Sequence, residues 1–583
     1  MRVLLLHPED VPLQGESAGS HWDLIVDLGF AGASVYEEWS RQTGARVISL
    51  YQFADQESYR WVKRGIVAGQ GRLLDRSGLD WWEVLAPCLY QDQQALYLLE
   101  QLRREIGPGP VELVASRAHS HVRLLSVVAE CPVRVLAPAL RRSRLISRLL
   151  TAAQDLRPSQ IVEIAFDKWD PSYRFRSKMT KHRRVQLKEP VLLCPTAYSN
   201  VTCTVLAYAS QLQDRRFLLA TTRRCGETSD LPANVTSVPL SAYVETSAET
   251  TIEAAEMLQA WAALQKELGR IDELRQRIQT GVWNYIGPQL EVGLRLRDAW
   301  RLLMSSEPVS GVLCGDDLNY HTRLPLILAK SMGRRATYCS HGALDGGLLF
   351  KKSYADLHLV KGEMERDYML RVGEIKPEQV EIAAPEQEGN HGSASPADCA
   401  ASEIVFFSQP YEVVGGRSGE IYREIFRPLV AVARELNRRI IVKLHPFESV
   451  RARTRLLKSL LSTDEYEKVE ITRAPAPKIL PRTFVGIGLD SSVAVECAQR
   501  EIPFFMCGWL DFNGFGYMQQ FARFGVGMLL RTPDEILSIP QRLGEFNPDR
   551  SMIRRFWQPA DEQRLDHLLF GTSGILTPTK CAS

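Results

Sequence analysis

The sequence lacks three features that would narrow its class at once: paired cysteines, long apolar runs and an excess of one charge. Its 11 cysteines include no CxxC pair, so neither a disulfide framework nor a zinc knuckle is expected. No run of about 18 apolar residues occurs, so no membrane-spanning helix is predicted. The first apolar run, residues 3–6, is too short for a signal peptide. We therefore expect a soluble, cytoplasmic protein that is at most peripheral to a membrane.

The charge balance and the histidine spacing exclude further classes. The 71 basic and 69 acidic residues leave a formal net charge of +2, which does not predict binding to nucleic acid. His119 and His121 form an isolated His-x-His pair, which without further ligands does not predict a metal site. We expect no bound metal and no cofactor.

What the sequence does contain is a series of short, continuous apolar runs. In the first part of the chain they lie at 3–6, 22–27, 47–50, 111–115, 133–137, 191–194 and 217–220. Continuous rather than alternating apolarity is typical of strands covered on both faces by helices, as in a parallel sheet. We predict an α/β fold with two Rossmann-like domains facing each other across a cleft, and helical insertions in the N-terminal half.

The clearest domain boundary is the segment 385–396, which is rich in Pro, Gly, Ser and Glu. It separates a predicted N-terminal domain, 1–390, from a C-terminal domain, 400–548. Residues 549–583 are predicted to form a helical tail that packs back on the N-terminal domain. A helical insert is expected at about 250–304, where apolar residues recur at intervals of three and four, a spacing typical of helix packing.

Polar residues follow two predicted strands of the N-terminal domain. Asp316 and Asp317 come after one apolar run, and His341 and Gly342 come after the next. Ligands collect at the carboxyl ends of the strands in open α/β sheets, so we expect these residues at one edge. An imidazole with a pKa near neutrality is suited to take a proton from an attacking hydroxyl. The alternative is a helix capped by an aspartate beside a structural histidine.

Lys443 and His445 end a strongly apolar run in the C-terminal domain. Alternate residues of a strand share a face, so both side chains can lean toward one ligand. Pro446 then stops the strand. A lone His-Pro pair is common in loops, but the serines that follow a later strand favour a ligand site here.

That later strand ends in a segment rich in glycine and serine, which contains Gly486, Gly488, Asp490, Ser491 and Ser492. The segment is a GxGxxS, and the missing third glycine disfavours dinucleotide binding. Two serines that open a helix offer hydroxyl and N–H groups to a phosphate. The alternative is that they only cap the helix. Glycines let the backbone approach a ligand closely, which favours phosphate binding.

Two basic features have two interpretations each. Arg417 is preceded by two glycines and followed by a predicted helix, so it either reaches a ligand phosphate or is a solvated loop charge. The segment 173–184 is the one strong basic cluster, and it contains aromatic residues. It is either a solvated face or a contact with an anionic lipid surface or an anionic acceptor.

The motifs resemble those of the GT-B glycosyltransferase superfamily, and within it the bacterial CDP-glycerol glycerophosphotransferases and the capsule polysaccharide transferases. The resemblance covers roughly residues 310–525. It rests on three motifs: His341-Gly342, Lys443-Leu444-His445-Pro446 and Asp490-Ser491-Ser492. In the glycerophosphotransferases the corresponding motifs line the cleft between the two domains. Here Asp490 directly precedes Ser491, which departs from the family's spacing.

The resemblance implies a metal-independent transferase that moves a sugar or polyol phosphate from a nucleotide-activated donor to a glycan or lipid-linked acceptor. The pathway it implies is surface polysaccharide synthesis. His341 would be the base, with Asp316 and Asp317 beside it, while His445 would neutralise the leaving group. Lys443 and the two serines would hold the donor phosphates. The absence of any Asp-x-Asp motif agrees, because that motif is typical of metal-dependent transferases with one Rossmann-like domain.

Two alternatives stay open. A nucleotide-sugar epimerase with the GT-B fold would release a changed sugar without adding it to an acceptor. A non-catalytic GT-B-like binding or scaffold protein would bind nucleotide without turnover, or would not bind it at all.

Overall fold

The structure is a computed structural model of the chain. It describes residues 1–12, 21–137, 169–170, 173–223, 228, 230–271, 275, 278–281, 283–341, 351–386, 402–413, 415–445, 448–489, 491, 493–511, 517–525, 527–546, 551 and 555–571. Residues 387–396 of the predicted boundary segment lie outside these ranges. Within them, none of the helices has the length and apolar character needed to cross a bilayer.

The strands of the described residues form three separate sheets, and all their pairings are parallel. The first sheet has the order β3-β2-β1-β4-β5, the second β12-β11-β10-β9-β6-β7-β8 and the third β15-β14-β13-β16-β17-β18. The strands are β1 Arg2–Leu6, β2 Leu24–Asp27, β3 Arg46–Ser49, β4 Glu112–Arg117, β5 Val133–Ala137, β6 Val191–Thr196, β7 Arg216–Thr221, β8 Val235–Pro239, β9 Val309–Cys314, β10 Arg335–Cys339, β11 Leu357–Val360, β12 Val380–Ile382, β13 Glu403–Phe407, β14 Arg439–Lys443, β15 Val469–Thr472, β16 Thr483–Gly488, β17 Phe504–Cys507 and β18 Met528–Leu530.

Helices cover both faces of the sheets. They are α1 Ala33–Thr43, α2 Gln56–Val67, α3 Trp81–Ile106, α4 Ser120–Val128, α5 Arg174–Thr180, α6 Ser199–Gln211, α7 Ala248–Leu268, α8 Ile286–Ser306, α9 Tyr320–Ser331, α10 Glu363–Arg371, α11 Ser418–Glu435, α12 Val450–Leu460, α13 Thr463–Tyr466, α14 Ala476–Ile479, α15 Val493–Gln499, α16 Tyr517–Arg523, α17 Ile539–Glu545 and α18 Glu562–Phe570.

The predicted α/β class with parallel sheets is confirmed, but the number of sheets differs from the prediction. The region before residue 390 contains two sheets rather than one. Each of the three sheets places its first strand between its second and fourth, which is the Rossmann-like arrangement. Apolar runs alone could not separate the first two sheets, because a strand buried on both faces has the same pattern in either.

Helix α3 joins the first sheet to the second. Its N-terminal part, which begins with Trp81 and Trp82, lies in the core of the second sheet with Trp261 and Trp283. The residues from Leu96 onward lie in the core of the first sheet. A helix of 26 residues is about 39 Å long, which is enough to serve both cores.

The predicted helical insert contains α7 and α8, which pack on each other beside the second sheet. Ser247 caps α7 by accepting a hydrogen bond from the N–H of Thr250. Met257, Trp261 and Leu264 are buried along one side of this helix. The apolar stripe is therefore a packing surface, as its spacing indicates.

The first sheet also contacts the third through a buried ion pair. Arg417 at the start of α11 pairs with Asp27 at the end of β2, at 2.7 Å, and both side chains are almost fully buried. A β-bridge between Phe30 and Gly416 lies next to this ion pair. The backbone N–H of Gly32 donates to Glu424 of α11 at 3.1 Å.

The last helix, α18, packs on the second sheet. Leu565, Leu568 and Leu569 share a buried cluster with Phe217 of β7. Asp561 caps the helix by accepting from the N–H of Arg564. The tail therefore returns to the part of the chain that precedes the boundary segment.

Candidate functional site

The carboxyl edge of the second sheet brings together the polar residues of two neighbouring strands. Strands β9 and β10 pair in parallel, with Cys314 opposite Tyr338. The chain therefore leaves both strands at the same level. Nδ1 of His341 lies 2.6 Å from the carbonyl oxygen of Gly315, which directly precedes Asp316.

This contact determines the tautomer of His341. A carbonyl oxygen only accepts, so Nδ1 carries the proton and donates to Gly315. In the neutral ring, Nε2 is then the acceptor nitrogen. Burial raises the pKa of the Asp316 carboxyl, and the nearby imidazole of His341 partly offsets that rise. The pair can hold and move one proton at the edge of the sheet.

Asp317 faces a different environment from that of Asp316. It pairs with Lys351 at 2.5 Å and with Arg323 at 3.3 Å, and all three side chains are buried. Burial alone would raise the pKa of Asp317, but Lys351 and Arg323 together lower it below its usual value. Arg323 also donates to the carbonyl of Glu83 in α3 at 3.1 Å. Asp317 was predicted as catalytic, and that role stays a prediction; these contacts favour a structural role beside the second sheet.

The third sheet assembles a second polar edge. Strand β13 lies between β14 and β16, with Phe407 opposite both Lys443 and Gly488. The segments after β14 and β16 therefore leave the sheet at one level, about 10 Å apart across two strand spacings. Lys443 and Ser491 are thus brought to the same edge, as the sequence predicts for one ligand site.

A buried glutamate, Glu448, organises the segment that contains His445. Its carboxylate accepts from the N–H of His445 at 2.7 Å, from the hydroxyl of Ser408 at 2.7 Å and from Arg453 at 2.8 Å. Burial raises its pKa, and Arg453 lowers it. Glu448 was missed by the sequence analysis. Its position three residues after His445 was the only available signal.

Lys443 and His445, at this edge, are both partly buried. Burial lowers the pKa of Lys443, and Arg473 lowers it further while Glu448 raises it. Burial, followed by the charge of Lys443, lowers the pKa of His445. Nζ of Lys443 donates to the carbonyl of Leu444 at 2.6 Å. An anion placed here would stabilise the charged forms of both side chains.

The segment after β16 is only partly described. Gly342, Asp490 and Ser492, all predicted ligand residues, lie outside the described residues. Oγ of Ser491 accepts from the N–H of Val493 at 3.4 Å, which is the capping interaction given as the alternative. The predicted phosphate role of Ser491 stays a prediction.

The two glycines of the predicted phosphate loop lie inside strand β16. A Cβ on Gly486 would come within 2.6 Å of the Phe504 ring, and one on Gly488 within 3.2 Å of both that ring and the carbonyl oxygen of Phe407. Close packing against β17 and β13 therefore accounts for both glycines. Their predicted approach to a phosphate stays a prediction.

Arg417 also differs from the prediction. Its guanidinium donates to Asp27 through two nitrogens, at 2.7 and 2.8 Å, and to the carbonyls of His7 and Asp10 at 3.0 and 2.6 Å. It is neither a solvated loop charge nor a residue directed at the third sheet's edge. A buried guanidinium needs such partners. Because these partners belong to the first sheet, Arg417 joins the first sheet to the third.

The edges of the second and third sheets approach each other across a shared apolar cluster. Tyr338, near the end of β10, is buried in the same cluster as Val493 and Ala494 at the start of α15. His341 lies three residues after Tyr338, and Ser491 lies two residues before Val493. The segments that carry the predicted base and the predicted phosphate ligand therefore both leave this cluster.

The second sheet's edge holds further polar residues that the sequence analysis missed. His321 and Tyr173 are buried together, with Nδ1 of the imidazole 3.2 Å from the phenol oxygen. Burial lowers the pKa of His321 to about 3. Arg223, after β7, donates to the hydroxyl of Tyr198, after β6, at 2.8 Å. These residues come from four separate segments, so no local pattern in the sequence joins them.

No protein-family model and no curated relative matches this sequence. Among the described residues, no group of three or more His, Cys, Asp or Glu side chains has the arrangement of a metal site.

Several solved structures are similar to the chain at low identity. The UDP-GlcNAc 2-epimerase from Methanocaldococcus jannaschii is 10% identical over 66% of this chain and 99% of its own, with a TM-score of 0.41. The wall teichoic acid polymerase TagF is 12% identical over 74% and 97%, with a TM-score of 0.37. The calicheamicin glycosyltransferase CalG4 is 14% identical over 66% and 95%, also with a TM-score of 0.37. Similarity of this size leaves function to be inferred from the chain's own residues.

Proposed function

We propose that the chain is a metal-independent GT-B transferase that moves a sugar or polyol phosphate from a nucleotide-activated donor to a hydroxyl acceptor. The observation that carries the proposal is the 2.6 Å contact between Nδ1 of His341 and the carbonyl of Gly315. It leaves Nε2 as the proton acceptor of the neutral ring, which is what a general base requires. Asp316 beside it stabilises the imidazolium once the proton is taken.

The donor binds at the third sheet's edge in this proposal. Lys443 and His445 are partly buried cations or donors whose charged forms are disfavoured there. The negative charge of a donor phosphate would stabilise the charged forms of Lys443 and His445. The hydroxyl of Ser491 would donate a further hydrogen bond to the phosphate. On phosphate binding His445 takes up a proton, which it can return to the leaving nucleotide. The two edges then divide the reaction into activation of the acceptor and stabilisation of the leaving group.

The acceptor is a glycan or a lipid-linked glycan of bacterial surface polysaccharide synthesis, presented at the inner face of the membrane. A surface near the acceptor side fits this. Phe175 and Met179 lie one turn apart on α5, are 55% and 49% exposed, and have Lys178 between them. Trp169, shortly before this helix, is 84% exposed. Exposed aromatic and basic residues on a short helix are typical of a peripheral membrane contact.

The ion pairs of the basic segment refine which residues would touch lipid. Arg174 pairs with Glu291 at 3.0 Å, and Arg184 with Glu245 at 2.8 Å. Arg176 is buried, with its guanidinium 4.0 Å from the Tyr173 ring. We therefore assign the membrane contact to Lys178, Lys181 and Arg183 together with the exposed apolar residues, all of which are accessible.

The decisive experiment measures nucleotide binding and turnover of the full-length chain. A thermal-shift screen against CMP, CDP, UDP, GDP and their sugars first identifies the donor. The chain is then incubated with the nucleotide-sugar that stabilises it and with candidate acceptors, and products are followed by mass spectrometry. Transfer to an acceptor supports the proposal. Release of an isomerised sugar without acceptor would establish the epimerase, and binding without turnover on any acceptor would establish the scaffold protein.

The membrane contact is tested separately by co-sedimentation with phosphatidylglycerol vesicles. Lys178, Lys181 and Arg183 are replaced by Gln, which leaves the ion-paired arginines in place. We expect association of the unmodified chain to fall steeply with salt, because exposed charges are screened. The variant should lose association at all salt concentrations. Equal sedimentation of the two chains would return this segment to a solvated face.

A further inference from the structure

The carboxyl edge of the first sheet holds three histidines that the proposed transfer does not use. His7 follows β1, and His119 and His121 follow β4. The ring centroids of His7 and His119 are 5.4 Å apart, and those of His119 and His121 are 4.7 Å apart. The sequence shows only the last two as a pair, because His7 lies more than 100 residues away and reaches them through the pairing of β1 with β4.

Strands β1 and β4 enclose the point where the strand order of the first sheet reverses. The order β3-β2-β1-β4-β5 runs outward in both directions from this pair. In such sheets the connections on either side diverge, which opens a crevice at the carboxyl ends of the two central strands. The three imidazoles lie at this place. The N–H of His7 donates to Oγ of Ser116 at 2.9 Å, which links the ends of both strands.

The hydrogen bonds of the rings determine what they can offer a ligand. Nδ1 of His7 accepts from the N–H of Glu9, and Nδ1 of His119 accepts from the N–H of His121, each at 3.2 Å. A nitrogen that accepts from an N–H has no proton of its own. In the neutral rings Nε2 therefore carries the proton, and both histidines present Nε2–H donors. Nδ1 of His121 is buried and has no hydrogen-bond partner among the described residues.

The cluster is neutral at physiological pH. Burial lowers the pKa of His119 to about 4 and that of His121 to about 3, and it also lowers the pKa of His7. An unsatisfied buried nitrogen and three closely packed imidazoles are costly for packing alone.

The charged groups that act on His7 balance one another. Glu9 and Asp10 raise its pKa, while Arg117 and Arg417 lower it. Asp10 and Arg117 pair with each other at 2.5 Å. Arg417 of the third sheet donates to the carbonyl of His7 at 3.0 Å. It therefore holds the segment that carries this histidine in place.

The tautomers argue against a metal ion as the ligand. A histidine that ligates a metal through Nε2 has its proton on Nδ1, which then donates. Here Nδ1 of His7 and of His119 accepts instead. Nε2–H groups suit an oxyanion, to which each can donate.

We propose that the crevice between β1 and β4 is a second ligand site, in which His7, His119 and His121 bind the phosphate group of a small molecule. It is separate from the donor site at the third sheet's edge. It does not depend on the proposed transferase activity. A bound phosphate accepts from the Nε2–H donors of the neutral rings, so the hydrogen bonds at Nδ1 of His7 and His119 are retained.

The test uses the full-length chain labelled with ¹³C at histidine Cε1, which gives 11 signals. Inorganic phosphate is titrated at pH 7, and single replacements assign the three signals. We expect phosphate to shift the signals of His7, His119 and His121. The signal of His182, which is exposed on the basic segment, should stay in place. Parallel titrations with a sugar 1-phosphate and with a nucleoside diphosphate identify the source of the phosphate group.

H119N is the informative variant because it separates folding from binding. His119 caps α4, and asparagine is a good N-cap residue, so the helix is retained. The variant lacks the Nε2–H donor to phosphate. Loss of a hydrogen bond to a charged group should weaken phosphate binding about tenfold or more.

Two results would overturn the proposal. One is that none of the three phosphate probes shifts these signals at millimolar concentration. The other is that Zn²⁺ shifts them and is retained through gel filtration. Signals from His341 and His445 report the transferase site in the same spectra, so failure at one site is distinguished from failure at the other.

Discussion

The carboxyl edges of the second and third sheets each hold a histidine, but they hold it by different atoms. In the second sheet the ring of His341 is held, because Nδ1 donates to the carbonyl of Gly315. In the third sheet the backbone of His445 is held, because its N–H donates to Glu448. The first arrangement determines a tautomer, and the second determines the path of a loop.

This difference teaches which edge is suited to which task. A ring with a defined acceptor nitrogen suits proton transfer, for which geometry and pKa must both be right. A loop shaped by a buried carboxylate suits binding, since Lys443 and His445 are then presented together at a partly buried edge. We therefore expect changes in the second sheet's edge to lower turnover at saturating donor, and changes in the third sheet's edge to lower donor affinity.

The largest expected effect is that of His341→Ala. Removal of a general base lowers turnover by roughly 10²–10⁴-fold. Donor affinity, measured by isothermal titration calorimetry, should stay within a few-fold of the unmodified chain. His182→Ala is the matched control, because its ring is exposed to solvent. If affinity collapses while turnover at saturation survives, His341 is a binding residue and the comparison is reversed.

Within the second sheet's edge, Asp317→Asn should act on stability. Removing one partner of a buried ion pair costs about 3–5 kcal/mol of unfolding free energy. The variant would leave Lys351 without this carboxylate and Arg323 with only that of Glu83, at 3.7 Å, although both cations are buried. Asp316→Asn should instead preserve stability and lower turnover by up to about 100-fold, because the charge that stabilises the His341 imidazolium is lost. Chemical denaturation and steady-state rates distinguish the two, and equal stability of both variants would contradict the structural role of Asp317.

The same variant has an acid-side signature. The folded-state pKa of Asp317 is lowered, so the unfolded chain binds more protons there and stability rises with pH. Its contribution is fully present above the ordinary aspartate pKa of about 3.9 and is lost as pH falls through the lower folded value. Asp317→Asn should therefore flatten the loss of stability below about pH 4.

Lys443→Met tests whether the third sheet's edge binds the donor. The change keeps the length of the side chain and removes the charge that would meet a donor phosphate. We expect donor affinity to fall about 10–100-fold, as for a lost hydrogen bond to a charged group. Lys468→Met, at an exposed position of the same domain, is the control. Unchanged affinity in a correctly folded Lys443 variant would show that the donor phosphate does not bind at this edge.

The smallest expected effect is that of Ser491→Ala. Loss of a cap interaction costs about 1 kcal/mol, and the 3.4 Å contact to Val493 indicates the lower part of that range. If Ser491 also binds phosphate, donor affinity falls more than stability does. A loss of stability alone would leave Ser491 as a cap residue.

The sequence allowed good prediction where a local pattern is sufficient. Continuous apolar runs predicted the parallel sheets, and the adjacency of β9 and β10 follows from two strands separated by one helix. His341 and Asp316 were placed at one edge on this reasoning, and the structure brings them together.

The sequence did not reveal contacts whose decisive partner is remote in sequence. The sequence offered Arg417 as either a phosphate ligand or a solvated loop charge, because its partner Asp27 lies 390 residues earlier. The packing role of the glycines of β16 was not foreseen because the ring of Phe504, on the next strand, is absent from the motif. His7 and His119 could not be joined before the order of the first sheet was known.

The contacts among the three sheets have a mechanical consequence. Helix α3 joins the first sheet to the second, Arg417 joins the first to the third, and the cluster around Tyr338 joins the second to the third. Because each of the three sheets contacts both of the others, no sheet can rotate relative to a second one without breaking its contact with the third. Ligand binding should therefore leave the radius of gyration in small-angle scattering nearly constant. Arg417→Met removes the ion pair between the first and third sheets. In this variant we expect ligand binding to change the radius of gyration.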